Sequence, residues 1–345
     1  MTWRIGGLEI DGRVILAPMS GYTSRAYRRF MKPFGVAADV SEMVSAMGLI
    51  RGTDRSWEYI GSDARPSGVQ LFGSDPETVA KAASAALDYD PDIDFIDINM
   101  GCPVNKIARS LSGAVMMKDP ANCGAVVRAV KRAVGVPVTA KIRLGQSASS
   151  ENYPEVISEL EAADVDCIAL HARTREERYT GDPHWDEIAG LGKEMSVPLV
   201  VSGSIYTLAD AVKAVRTSCA RGVMVARGGV GNPFLVTQID RYFRTGEVLP
   251  CPTVSQQAAW CRQLIGMVLD EKGPEEGFMR LRSYVPRFAA GIHGCRMYRK
   301  ELACSADVGE MLRILGELED TMGGERIRPG GSGGMPEPGP DGPGE

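Results

Sequence analysis

The sequence predicts an α/β fold, a (β/α)8 TIM barrel followed by a small C-terminal helical domain. Eight short apolar, β-branched segments begin about 24 to 45 residues apart, which is the spacing of βα units rather than of hairpins. Helical patterns fit between these segments, and polar residues recur where the segments end. A barrel of this kind takes roughly 250 residues, so the 345 residues leave room for a second unit.

Apolar strands that alternate with helices favour a parallel sheet covered on both faces. Eight such repeats favour closure into a barrel over an open sheet. We predict strands at Val14–Met19, Ala38–Glu42, Ser67–Leu71, Ile93–Asn99, Val138–Arg143, Cys167–Ala172, Pro198–Gly203 and Gly222–Ala226.

Helix start signals mark the segments between the strands. Asp75 and Thr207 precede two of the helices and are suitable caps, and a proline begins two of them. We predict helices at Pro76–Leu87, Pro120–Ala133 and Leu208–Arg216.

Composition changes along the chain predict three regions. Residues 1–245 form the barrel, and residues 250–322, where strand patterns stop and helical periodicity begins, form the helical domain. Residues 323–345 hold 9 Gly and 5 Pro and almost nothing apolar, so we expect a disordered tail.

Charge and cysteine usage exclude several classes of protein. Lys plus Arg is 39 and Asp plus Glu is 44, so a net charge of −5 excludes a protein coated in basic charge but not a local basic patch. No apolar run approaches the roughly 18 residues of a membrane span, and Glu9 and Asp11 interrupt any secretory signal. The 8 cysteines form no Cys-x-x-Cys pair, so we expect no disulfides, no metal and a location in the reducing cytoplasm. We also expect a monomer.

Polar residues at the strand ends support the barrel. The carboxyl ends of barrel strands converge on one face, where active sites are built, whereas an open sheet would scatter them along an edge. These residues are Met19, Glu42, Gln70, Asn99, Lys141, Arg143, His171, Ser202 and Arg227.

Two glycine-containing loops predict an anion site. GSIYTLADAV follows the seventh strand and ARGGVGNPF the eighth. Glycines let backbone N–H groups approach an anion, and Arg227 adds a fixed cation with forked donors. The alternative is that these glycines only make tight turns, but barrels often hold a phosphate at loops seven and eight.

Five further residues carry possible chemistry. Lys141, inside an apolar strand, is either a Schiff-base nucleophile or a cation that stabilises electron density on a bound flavin or substrate carbonyl. His171 is a phosphate contact, a proton-transfer group or a packing residue, and Gln70 offers an amide to a planar heterocycle. Cys102 follows a strand between Gly and Pro, which favours a functional thiol over a buried hydrophobe, and Asn99 is placed to bond a substrate at the same mouth.

Over about residues 5 to 300 the chain resembles the tRNA-dihydrouridine synthases, flavoenzymes that reduce the C5=C6 bond of uridines in RNA. The resemblance rests on the ordered motifs APMSGYTSRAYR, VQLFG, DINMGCPVNKI, SGAVMMKDP, TAKIRLG, HARTREERYTGDPHWDEI, SGSIYT and ARGGVGNPF. It implies that Cys102 is the proton donor and that His171 is an additional flavin contact. It also implies FMN-binding positions at Ala17, Pro18, Met19, Gln70, Lys141, Ser202, Gly203, Ser204, Ala226 and Arg227.

The chain departs from the family pattern in a few places. Ser202-Gly203-Ser204 stands where Asn-Gly-Asp is common, and Ala226-Arg227 where Gly-Arg is common. Ser24 occupies a position where the family commonly has Asp, and Ser112 one where it commonly has Gly. Serines keep their hydrogen-bonding capacity, so we expect FMN binding to survive.

The resemblance implies a reaction in two halves. NADPH reduces FMN, and the reduced flavin delivers hydride to C6 of uracil while Cys102 protonates C5. For this role we expect a neutral thiol with a pKa near its ordinary value of about 8.5. The sequence has no evident dinucleotide-binding fingerprint, so we expect NADPH to bind transiently.

The RNA partner must supply binding energy, because a stacked uracil has to be extruded to reach the barrel. The stretch 278–300 has six basic residues, no acidic ones and two interleaved tyrosines, which predicts phosphate contacts rather than only a solvated face. Arg175 and Arg178 are further candidates for contact with the base or backbone. The six basic residues are Arg280, Arg282, Arg287, Arg296, Arg299 and Lys300.

Two alternatives remain open at this point. An FMN barrel acting on a free small molecule, similar to a dihydroorotate dehydrogenase, would share the flavin residues but has no use for a basic helical domain. The second alternative is an RNA-binding relative that has lost catalysis, which the departures from the family pattern at Ser202 and Ser204 allow.

Overall fold

Eight parallel strands close into a barrel, because the last of them along the chain pairs with the first. The structure, a computed structural model, describes residues 2–52, 54–62, 64–104, 107 and 111–328. The predicted strands and barrel are confirmed; the first strand ends early, at Leu16, and Pro18 just beyond it has no N–H for a ladder. The barrel strands are β3 (Val14–Leu16), β4 (Ala38–Ser45), β5 (Ser67–Phe72), β6 (Phe95–Asn99), β7 (Val138–Arg143), β8 (Cys167–His171), β9 (Leu199–Ser202) and β10 (Gly222–Val225).

A short antiparallel hairpin covers the amino-terminal end of the barrel. Strands β1 (Thr2–Ile5) and β2 (Leu8–Asp11) pair with each other, and their apolar side chains join the cluster that fills the barrel interior. That end is therefore closed by packing, which leaves the carboxyl ends of the strands as the open face.

Helices follow the barrel strands, and their caps agree with the sequence. Asp75 accepts a hydrogen bond from the N–H of Thr78 (2.9 Å), and Thr207 forms a capping box with Asp210. The helices up to the last barrel unit are α1 (Arg25–Met31), α2 (Ala46–Ile50), α3 (Asp54–Trp57), α4 (Pro76–Tyr89), α5 (Pro120–Ala133), α6 (Tyr153–Glu161), α7 (Leu191–Glu194), α8 (Leu208–Ser218) and α9 (Phe234–Thr245).

The C-terminal helices pack onto the first helix of the barrel. Helix α10 (Val254–Phe288) bends at Gly273, whose φ of 73° is not helical, directly before Pro274. It contacts α1, α11 (Arg296–Cys304) and α12 (Val308–Met322). Their apolar side chains belong to the same continuous core as the helices around the barrel.

Two other sequence predictions reach beyond the described residues. The expected tail is residues 323–345, of which residues 329–345 lie outside the described part of the chain. Within the described residues 323–328, Arg326 forms an isolated β-bridge with Thr253. Parts of the long loop between β6 and β7, at 105–106 and 108–110, also lie outside them. All eight cysteines are free, and none of the helices in the described ranges is long and apolar enough to cross a membrane.

Candidate active site

Strand register brings the predicted site residues together at the open face of the barrel. The Cα of Asn99 on β6 is paired with that of Lys141 on β7, and Arg143 is paired with His171 on β8. His171 is in turn paired with Ser202 on β9. Neighbours on four consecutive strands therefore line one side of the mouth.

A hydrogen-bonded chain of buried side chains runs from the barrel interior to the Cys102 loop. The two carboxylate oxygens of Asp97 accept from Thr139 Oγ1 (2.5 Å) and Gln70 Nε2 (2.6 Å). Gln70 Oε1 accepts from Asn99 Nδ2 (2.7 Å), and Asn99 Oδ1 accepts from the backbone N–H of Cys102 (3.0 Å). Because each amide is fully oriented by its partners, the loop carrying the thiol has a defined position.

Cys102 is half-buried on this loop. Its carbonyl accepts from the N–H of Ala114 (3.0 Å) in the short 3₁₀ helix at 113–118, which fixes the loop from a second side. Burial raises the pKa of the Cys102 thiol, although the cations of Lys141 and Arg143 oppose this. At neutral pH the group is therefore a protonated thiol rather than a standing thiolate.

The buried Arg143 guanidinium joins the Cys102 loop to the loop after β8. Its Nε donates to the carbonyl of Gly101 (2.7 Å), and its Nη1 donates to the carbonyls of Thr174 and Arg178 (both 2.8 Å). Its guanidinium also lies over the ring of Tyr179, 5.3 Å from the centroid. One side chain therefore fastens two loops of the mouth.

Cations dominate the electrostatics of the mouth. Lys141, Arg143, Arg173 and Arg227 form no ion pair with a carboxylate within the described ranges. Burial lowers the pKa of Lys141 to about 8, with a further contribution from Arg143. An arrangement of unpaired cations in a protein is typical of a site for an anionic ligand.

Arg227 lies in the loop after β10, in a short 3₁₀ helix at 227–229. Its guanidinium stands 5.0 Å from the ring centroid of Tyr179 and 5.9 Å from that of Tyr206. A Cβ at the neighbouring Gly228 would lie 1.9 Å from the carbonyl oxygen of Ile205, so only glycine lets the loops after β9 and β10 approach this closely.

The Ser202–Ser204 segment follows β9 and packs against His171. Gly203 has a φ of 131°, and a Cβ there would lie 3.0 Å from the His171 ring. Ser204 Oγ accepts from Arg173 Nη2 (2.7 Å). Ser204, which stands where the resembled family commonly has Asp, thus keeps a polar atom at this position.

The remaining predicted cofactor positions lie at the adjacent strand ends. Ala17, buried, follows β3 and its N–H donates to the carbonyl of Val225 (2.9 Å). Met19 and Ala226 pack against the cluster inside the barrel. Pro18 stands between two of these residues, and all of them border the same mouth.

A family model described as "Dihydrouridine synthase (Dus)" matches residues 15–321 of the chain. The chain belongs to the dihydrouridine synthase family. The match spans the barrel from β3 onwards and nearly all of the C-terminal helices, so the resemblance seen in the sequence motifs is confirmed.

Curated proteins of the same family align with most of the chain. A probable tRNA-dihydrouridine synthase of Rickettsia bellii is 32% identical over 299 residues, which is 86% of this chain and 91% of that protein. The tRNA-dihydrouridine synthase B of Pseudomonas aeruginosa is 32% identical over 300 residues, covering 86% of this chain and 90% of that protein.

Solved structures with a similar fold are more distant in sequence. A 6-hydroxypseudooxynicotine amine oxidase from Pseudomonas geniculata has a TM-score of 0.57 at 14% identity, covering 93% of this chain and 66% of that one. A histamine dehydrogenase from Rhizobium has a TM-score of 0.52 at 15% identity, covering 77% and 50%. At this identity the likeness concerns the barrel fold alone.

The predicted RNA-contacting residues of this family member divide into two sets. Arg280 lies 3.7 Å from Glu42, Arg282 donates to the carbonyl of Ala303 (3.1 Å) and Arg287 donates to Tyr22 Oη (2.7 Å). These three contacts join helix α10 to other elements. The second set lies on α11, and its side chains make no hydrogen bond or ion pair to any described residue. We name it the α11 basic cluster: Arg296, Arg299 and Lys300.

The loop after β8 holds the last two predicted substrate residues. Arg178 is exposed and has a φ of 51°, and its carbonyl is held by Arg143. Arg175 is half-buried, and its N–H donates to the carbonyl of Gly145 (2.9 Å). Both lie on the rim of the mouth, and their contact with substrate stays a prediction, as does that of Asn99.

Sequence reasoning gave no role to two buried side chains of the site. Arg173 lies two residues after His171, and Asp97 two residues before Asn99, so each continues the alternation of its strand towards the same side. A charged residue that alternates with a site residue in an apolar strand is the signal that would have indicated both.

Proposed function

We propose that the protein reduces uridines in tRNA to 5,6-dihydrouridine, using FMN as its cofactor and NADPH as the reductant. The membership of the family and the names of its curated relatives support the reaction and the tRNA substrate. The observation that carries the proposal is that one mouth combines the Cys102 thiol with cations that have no carboxylate partner among the described residues.

The residues of the mouth fit a flavin mononucleotide. Arg227 and the backbone around Gly203 and Gly228 suit its phosphate, and Lys141 is a cation suited to the electron-rich end of the ring. Gln70 offers less, since its amide is already bonded to Asp97 and Asn99. When bound, FMN supplies the hydride that is transferred to C6 of the uracil.

Cys102 supplies the proton that C5 requires. Its pKa is raised by burial, so the thiol keeps its proton until the substrate needs it. The chain of hydrogen bonds from Asp97 through Gln70 and Asn99 holds the loop, and Arg143 holds its other side. Lys141 and Arg143 lie near enough to stabilise the thiolate left after the transfer.

The tRNA has to deliver an unstacked uracil, at a cost of a few kcal/mol. We propose that the α11 basic cluster binds phosphates of the tRNA and offsets this cost, with Arg175 and Arg178 contacting the nucleotide at the rim. Arg280 and Arg287 then act by fixing helix α10 against the barrel, and Arg282 by fixing it against α11, because their side chains bond within the protein. We further propose that the enzyme acts as a monomer in the cytoplasm.

Two measurements test the function. The purified protein is expected to show flavin absorbance, and unmodified tRNA incubated with it and NADPH is expected to gain dihydrouridine, detected by mass spectrometry of its nucleosides. Free uridine and orotate serve as small-molecule controls and are expected to remain unreduced. A flavin-loaded protein that reduces a free small molecule and leaves tRNA unchanged would contradict the proposal.

A further inference from the structure

Arg173 is a fully buried arginine whose donors are directed to neutral groups. Its Nε donates to the carbonyl of Thr180 (3.0 Å), and its Nη2 donates to the carbonyl of Gly181 (2.6 Å) and to Ser204 Oγ (2.7 Å). Its Nη1 lies 3.1 Å from Nε2 of His171. A buried arginine placed against a histidine needs a chemical explanation.

The contact fixes the proton of the imidazole. A guanidinium has only donors and stays charged, so the pair is a hydrogen bond only when Nε2 of His171 has no proton. A neutral imidazole without a proton on Nε2 carries it on Nδ1. An imidazolium, or the opposite tautomer, would place one N–H against another.

The surroundings of His171 oppose a second proton. Lys141 and Arg143 face it from β7, Arg173 from the loop after β8 and Arg227 from the loop after β10. The Tyr179 ring stacks on it at 6.2 Å. Burial and these four cations hold the pKa of His171 well below 6.5.

We propose that Arg173 is a positioning residue that fixes His171 as the neutral Nδ1–H tautomer, so that the histidine presents one N–H donor to the ligand in the barrel mouth. No hydrogen bond from the described residues uses Nδ1, and the histidine keeps 7% of its surface exposed. The tautomer follows from the protein alone. Only the identity of the recipient, a phosphate or carbonyl oxygen of FMN, rests on the proposed function.

This arrangement has a consequence for ligand choice. A neutral N–H donor accepts no hydrogen bond, so the position selects an oxygen acceptor and rejects a ligand donor. Because its pKa is held well below 6.5, the imidazole also keeps the same charge across neutral pH.

The tautomer is measurable because the chain has only three histidines. Long-range ¹H–¹⁵N NMR of flavin-free protein at pH 7 distinguishes protonated from bare ring nitrogens, and His184→Gln and His293→Gln assign the signals. His184 is an internal reference, because its Nε2 lies 2.5 Å from Glu177 Oε1 and so carries a proton. We expect Nδ1–H alone for His171. A proton on its Nε2, or on both nitrogens, would overturn the inference.

Two variants separate the effect of Arg173 from a merely structural role. Arg173→Met removes the donor and one cation, so we expect the Nε2–H tautomer to appear and the pKa of His171 to rise in an NMR titration. Ser204→Ala removes another partner of Arg173 and is expected to leave the tautomer unchanged. An Arg173→Met protein that keeps Nδ1–H alone would show that Arg173 does not fix it.

Two further outcomes keep the inference decidable. If Arg173→Met does not fold, Arg173→Lys retains a donor and a charge and is expected to keep the Nδ1–H tautomer, and the wild-type spectrum still decides the main claim. Since the spectra are recorded without flavin, failure to reduce tRNA would overturn the proposed function and leave this inference standing. An enzyme that reduces tRNA but carries the proton of His171 on Nε2 would overturn this inference and leave the proposed function standing.

Discussion

Replacing Lys141 by methionine is expected to stabilise the flavin-free protein. The amine is held in β7 without an ion pair to any described residue, and burial lowers its pKa from 10.5 to about 8. At 1.36 kcal/mol per pKa unit, this difference corresponds to about 3 kcal/mol of native-state cost at pH 7. Because the side chain keeps part of its surface accessible, we expect a gain of about 1–3 kcal/mol, and methionine is flexible enough to fill the same space.

Urea unfolding at several pH values measures this effect. A lowered native-state pKa means that between about pH 8 and 10.5 the unfolded chain binds a proton that the native protein does not. The free energy of unfolding of the wild type therefore rises with pH in that window, and its deficit relative to Lys141→Met shrinks. The exposed Lys193→Met is the control and is expected to change stability by less than about 0.5 kcal/mol at either pH.

The result that would refute this reasoning is a Lys141→Met protein that is equally or less stable than the wild type at pH 7. A gain that does not change between pH 7 and 10 would also refute it, because the stabilisation would then arise from packing. Adding FMN is expected to reverse the order, since the wild type binds the anion with a cation that the variant lacks.

Three other predictions concern the barrel mouth and the α11 basic cluster. Arg227→Ala is expected to weaken FMN binding by about 10–100-fold, the range for a lost charge-assisted hydrogen bond. Arg221→Ala, at the opposite end of β10, is the control and is expected to leave the affinity for FMN, measured by fluorescence titration, unchanged. Equal losses of affinity in the two variants would contradict the assignment of Arg227 to the phosphate. Alanine at all three positions of the α11 basic cluster is expected to lower tRNA affinity. It is also expected to reduce the slope of the logarithm of the tRNA binding constant against the logarithm of salt concentration by about 2–3. An unchanged slope would show that the cluster is only a solvated face. Because burial and the neighbouring cations lower the native pKa of His171, the unfolded chain gains a proton below about pH 6.5 that the native protein does not. The wild type is therefore expected to lose more stability than His171→Gln between pH 7 and 5, and parallel curves in urea unfolding would contradict this.

The strands and their order could be predicted because each depends on its own neighbours. Apolar, β-branched segments at the spacing of βα units allow a parallel barrel, and the capping residues Asp75 and Thr207 mark helix starts locally. Closure then puts Arg143, His171 and Ser202 side by side, because the register of the strands pairs them.

The interactions that fix the site could not be predicted, because they join residues far apart in sequence. Arg143 is 42 residues from the carbonyl of Gly101 that it holds, and Arg287 is 265 residues from Tyr22. The basic composition of 278–300 indicated phosphate binding but not which arginines bond within the protein. Arg173 is buried by contacts of its loop with Ser204, which only the folded chain brings near.

Cys102→Ala tests the central claim, that this thiol protonates the uracil, most directly. General acid catalysis contributes about 10²–10⁴-fold, so reduction of uridine in tRNA is expected to fall by a factor in this range, with fold and FMN content intact. Oxidation of NADPH by the flavin needs no proton from the thiol and is expected to run at nearly its normal rate. Cys123→Ala and Cys167→Ala, at buried cysteines, are expected to alter stability without separating the two half-reactions. Reduction of tRNA by Cys102→Ala at the wild-type rate would contradict the account.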